Sequence, residues 1–95
     1  IKWHGRDSLM NREEELLGIL QEEAAEVIQA ISKCNRFGKT ERNIKNLETE
    51  IGDFMGVFKM LIDEKFFDDT AGDRIFKAAE AKVKKVEKFI LNKKA

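Results

Sequence analysis

The sequence predicts an all-α protein, an antiparallel bundle of three main helices per chain. Three observations carry this. Apolar residues recur at intervals of three and four along three separate stretches, which is helical periodicity. There is no proline in the 95 residues to interrupt a helix. No stretch alternates apolar and polar residues as a half-buried strand does.

The first helix begins at Asn11. Asn11 with Glu14 three residues on has the spacing of a capping box. Its stripe runs Leu16, Leu20, Ala24, Val27, Ile31 and Cys34, and it ends near Phe37-Gly38, where glycine supplies a stop. The second helix starts between Thr40 and Asn43 and ends near Lys65. Its stripe includes Ile44, Leu47, Ile51, Phe54, Phe58 and Leu61. Turn-forming Asp68, Asp69, Thr70 and Gly72 follow. The third helix runs from Thr70 or Asp73 to about Asn92, with Ile75, Phe76, Ala79, Val83, Val86 and Ile90 on one side. Residues 1–10 lack periodicity and read as an N-terminal arm, leaving 11–95 as one helical domain.

Composition narrows the function classes. With 42% hydrophobic and 38% charged residues the chain is too apolar for disorder and polar enough for a globular helical protein. No apolar run reaches membrane-spanning length. A lone cysteine, Cys34, excludes an internal disulfide and fits a reducing cytoplasm. A domain this small buries a limited core, which favours pairing with another copy. Net charge is zero but unevenly placed. Six acids and one base lie between Asn11 and Glu26, and seven lysines and two acids between Lys77 and Ala95. Nucleic-acid binding through the lysine-rich end is disfavoured, because overall basic charge and interleaved aromatics are missing.

Four acids stand out. At ~100° per residue, Glu23 falls inside the apolar arc of the first helix and Glu26 just past its edge. Glu50 falls inside the arc of the second helix, and Asp53 falls between Met60 and Val57. An ionised carboxylate among apolar side chains loses hydration and must be protonated, paired or bound to a metal. No base shares those arcs, so a cation from outside is the natural partner. Two acids three residues apart project from one helix face. Two such helices facing each other gather four carboxylates, and hard oxygens without His or Cys suit Mg²⁺, with Mn²⁺ as substitute. The competing reading is a solvated acidic face, as on a non-catalytic helical dimerisation module.

Lys82 lies at the border of the third stripe, near Ile75 and Val86, and Lys85 lies one turn on. Lysines there suit anionic phosphates as point charges; the plainer alternative is a solvated lysine face. Trp3 and His4 are candidates to cover a nucleobase, the plainer alternative being local packing of a chain terminus. Gly52 and Gly56, four residues apart inside the second helix, each cost roughly 1 kcal/mol against alanine. They suggest either close approach of another backbone or simple tolerance.

The segments Glu22-Glu23-Ala24-Ala25-Glu26-Val27-Ile28 and Leu47-Glu48-Thr49-Glu50-Ile51-Gly52-Asp53 form ExxE and ExxD motifs separated by a couple of dozen residues. Arg36-Phe37-Gly38 lies between them and the basic run Glu80–Val86 beyond. In these features the chain resembles MazG-like proteins of the all-α NTP pyrophosphatase superfamily, and in particular small phage-type members. The resemblance spans about Leu16 to Ile90. It implies Mg²⁺-dependent hydrolysis of nucleoside triphosphates, NTP or dNTP, between the α and β phosphates. That chemistry fits metal ligands at Glu23, Glu26, Glu50 and Asp53; of these Glu26, at the edge of the apolar arc, is the carboxylate suited to orient or deprotonate the attacking water, with Glu23 as its catalytic neighbour. It also implies a homodimer or homotetramer completing a four-helix-bundle-type active site, in the cytoplasm of a bacterium or phage-infected cell.

Overall fold

A computed structural model of the chain describes residues 11–94, with side chains described to residue 92. The arm, and with it Trp3 and His4, lies outside the described residues. The fold is all-α, built of α1 (Arg12–Phe37), α2 (Glu41–Asp63) and α3 (Ala71–Lys94). No strand occurs among the described residues, and no helix is long and apolar enough to cross a membrane.

The capping box predicted for α1 is present. Asn11 Oδ1 accepts from the Glu14 N–H at 2.8 Å, and Glu14 Oε1 accepts from the Asn11 N–H at 3.2 Å. Together they satisfy two donors near the helix start that no carbonyl reaches. Gly38 ends α1 at φ 103°, where any side chain would be strained. Thr40 then caps α2, its hydroxyl accepting from the Asn43 N–H at 3.1 Å. The Asn43 side chain donates back to the Gly38 carbonyl at 2.9 Å, which ties down this three-residue turn. So short a link forces α1 and α2 antiparallel. At the other end Arg12 pairs with Glu64 at 2.6 Å, start of α1 to end of α2.

The core lies between these two helices. Leu16, Ala30 and Cys34 of α1 and Leu61 of α2 are buried. Helix α2 closes with a Schellman motif, in which the Phe66 N–H donates to Leu61 O and the Lys65 N–H to Ile62 O. Lys65 holds the left-handed position at φ 63° that glycine usually takes. Edge-to-face contacts of Phe67 with Phe58, at 5.7 Å, and with Phe66, at 5.0 Å, then seat the connection on α2. Asp68 starts α3 by accepting from the Thr70 N–H and from both a Thr70 hydroxyl and Arg74. The Arg74 guanidinium takes both carboxylate oxygens, at 2.8 and 3.0 Å, and holds the Asp68 pKa below its ordinary range.

Packing is uneven. α1 and α2 form a tight hairpin, but no Cα of α3 comes within 8 Å of a Cα in either. The radius of gyration is 16.7 Å, against about 12 Å for a compact chain of this length. Ala71 is buried at the root of α3, and every residue from Gly72 to Asn92 is exposed. Among the described residues the periodic stripe of α3 therefore has no counterpart in α1 or α2.

Candidate metal site

The antiparallel register brings the middle of α1 against the middle of α2. Residues 12 and 64 meet at one end and Cys34 and Asn43 at the other, where the Cys34 thiol donates to the Asn43 carbonyl at 3.7 Å. Glu23 therefore comes level with Glu50 and Asp53. One carboxylate oxygen from each of the three lies within 4.8 Å of the others. Glu23 is buried, at 5% exposure, Glu50 is half-buried and Asp53 is exposed. The group is thus open on one side and closed on the other.

Helical geometry explains this graded exposure. Glu23 and Glu50 sit on the lines where the two helices face each other. Asp53 is turned ~60° away from Glu50 toward one edge of the seam. Glu26 is turned by the same angle from Glu23 toward the same edge. Glu26 is half-buried and lies outside the three-oxygen group.

The electrostatics match the crowding. Burial pushes the Glu23 pKa up, and the nearby charges of Asp53, Glu50 and, less strongly, Glu26 push it further the same way. Among the described residues no ion pair reaches Glu23, Glu50 or Asp53. The donors are hard oxygens without His or Cys, on two braced helices. That set fits Mg²⁺ or Mn²⁺, which take carboxylates and keep open positions for water or phosphate. A buried glutamate with two acid neighbours and, among the described residues, no ion pair is the observation that fits a cation here.

The other residues singled out by sequence stand apart from this group within one chain. Lys82 and Lys85 are exposed on α3, which does not pack on the hairpin. A Cβ added at Gly52 or Gly56 would meet nothing within 4 Å, so neither glycine answers to a close neighbour inside the chain. Sequence reasoning did not find the open apolar hollow of roughly 190 Å³ lined by Ala24, Val27, Ile28 and Phe54. It lies on the side of the hairpin away from Asp53 and Glu26. A wheel shows which residues share a face, but not that two helices leave a groove there.

Comparison with protein-family models, with curated proteins and with solved structures finds no match.

Proposed function

We propose that this protein is a Mg²⁺-dependent nucleoside triphosphate pyrophosphohydrolase of the MazG-like kind, working as a homo-oligomer. The observation that carries the reading is the convergence of Glu23, Glu50 and Asp53 from facing helices around one point, with Glu23 buried. The resemblance of the ExxE and ExxD motifs that contain these acids to those of MazG-like proteins supports the nucleotide chemistry.

In this reading Glu23, Glu50 and Asp53 would hold Mg²⁺. That ion would supply charge neutralisation for the phosphate oxygens and make water a better nucleophile. Glu26, one turn beyond Glu23 and outside the three-oxygen group, is the carboxylate left to orient the attacking water and take its proton. The water oxygen adds at phosphorus in the α–β anhydride, the bridging P–O bond breaks, and pyrophosphate leaves with the electron pair. Positioning and charge do most of this work, as phosphoryl transfer requires. Lys82, with Lys85 beside it, meets the distal phosphates, and a second chain is needed to enclose the site. An intracellular nucleotide pool is the matching environment.

The test is pyrophosphate release from a panel of NTPs and dNTPs with Mg²⁺. Wild-type protein turns over at least one of them. Glu50→Gln keeps the helical fold and lowers turnover at least a hundredfold. The second reading, a non-catalytic dimerisation module, draws on the apolar faces exposed on all three helices. It predicts no turnover by either protein and no gain in Tm with Mg²⁺.

A further inference from the structure

The edge of the hairpin that carries Glu26 and Asp53 changes charge along its length. Lys33 lies ~20° from Glu26 on the α1 wheel, and Arg42 lies ~20° from Asp53 on the α2 wheel. Both cations therefore stand on the open side of the carboxylate group. The Cys34–Asn43 contact sets their chain neighbours side by side, so Lys33 and Arg42 are level with each other to within one turn. At 1.5 Å per residue, Lys33 is ~10 Å along the seam from Glu26 and Arg42 is ~12 Å from Glu50. Between the acids and the cations the same edge carries two uncharged amides, the exposed Gln29 and the half-buried Asn46.

The fold makes no visible use of these two cations. Both are exposed, and neither enters an ion pair among the described residues. The only acid between Val27 and Leu47 is Glu41, and it pairs with Lys45 at 3.0 Å. Arg36 differs from them. It sits in the last turn of α1, where a cation complements the helix dipole, and its guanidinium lies over the Phe37 ring at 5.5 Å. Arg42 sits in the first turn of α2, where a positive charge opposes the dipole. A cation kept against a local rule and without a partner points to a ligand.

We infer that this edge takes a nucleotide carrying a second phosphate on its sugar, apart from the triphosphate, and that Lys33 and Arg42 receive that phosphate. The order of charges along the edge matches the order of groups in such a ligand. The triphosphate falls at the acids, the uncharged nucleoside at Gln29 and Asn46, whose amides both donate and accept hydrogen bonds, and the sugar phosphate at the two cations. Arginine meets a phosphate through paired N–H donors and lysine as a point charge, so one phosphate between the two helices satisfies both. Lys82 and Lys85 remain at the distal phosphates, on the other side of the α–β link from the nucleoside. A terminal monoester and a diester leading to a next nucleotide offer Lys33 and Arg42 the same chemistry. The inference rests on the proposed function and narrows its substrate class.

Calorimetric titration of the full chain in Mg²⁺ with three non-cleavable ligands tests it. The first is α,β-methylene ATP, the second the same compound with a 3′-phosphate, and the third the same compound extended by a 3′-linked nucleotide. The expected result is binding about tenfold tighter for at least one of the two extended ligands than for the first. Lys33→Gln combined with Arg42→Gln removes that gain, with the helical circular dichroism unchanged. A gain with the second ligand alone identifies a monoester, with the third alone a diester, and with both a site that accepts either. Equal binding of all three by wild type overturns the inference and leaves the nucleotide reading standing, as does a gain that survives the double substitution. Binding of none of the three removes both.

Discussion

An oxygen of the buried Glu23 carboxylate lies within 4.8 Å of one from Asp53, on the facing helix. Two like charges this close, one removed from water, oppose each other unless a proton or a cation intervenes. A proton on Glu23 relieves that opposition, and so would the Mg²⁺ proposed for this site.

The stability of the metal-free protein therefore depends on pH with a definite sign. The pKa of Glu23 is raised in the folded state, so folding favours the protonated form. That contribution is complete below the ordinary glutamate range and is lost as pH rises through the raised value. Thermal melts in chelator should show Tm falling across this interval. Glu23→Gln should flatten the dependence and raise Tm at pH 8 by roughly 4 °C, the change expected of about 1 kcal/mol.

Mg²⁺ bound as proposed would compete with a proton on Glu23. Calorimetric titration with Mg²⁺ in buffers of different ionisation enthalpy should report proton release just below the raised Glu23 pKa, and none well above it. Affinity should increase with pH over the same interval. Saturating Mg²⁺ at a hundredfold its Kd should add about 2.7 kcal/mol of stability, with Asp53→Asn losing most of the gain.

Lys65 offers a test of the fold independent of the site. It occupies the left-handed C′ position of a Schellman motif at φ 63°, where a Cβ is a steric cost. Lys65→Gly should stabilise the protein by roughly 0.5–1 kcal/mol in urea unfolding. Unchanged or reduced stability would mean the turn is held differently.

The Arg12–Glu64 pair clips the open end of the hairpin at 2.6 Å, but Arg12 is mostly exposed. Water and salt screen such a pair, so Arg12→Ala should cost no more than about 1 kcal/mol. The loss should shrink further in 1 M NaCl.

The parts legible in the sequence were those written locally. Asn11 and Glu14 announce the start of α1, Gly38 its end and Thr40 the start of α2, because each acts through hydrogen bonds or backbone angles a few residues away. The placement of Glu23 was legible for the same reason, since a wheel fixes which residues share a face. What a face packs against is not local. The stripe of α3 reads like those of α1 and α2, yet α3 meets neither in its own chain, and Lys82 and Lys85 go with it. The division between Glu23, Glu50 and Asp53 on one hand and Glu26 on the other was equally hidden. Glu26 and Asp53 are turned alike, and only the register between the helices brings Asp53 into the group. Lys65 gave no sign of its left-handed backbone, because the usual glycine is absent.

Calorimetric titration of Mn²⁺ into the wild-type protein and into Glu50→Gln at pH 7.5 is the most direct test of the central claim. Saturable binding by wild type that weakens at least a hundredfold in the variant, with the helical content of both unchanged, is the expected result. Equal binding by the two proteins, or none by wild type, would contradict the assignment of these acids to a metal.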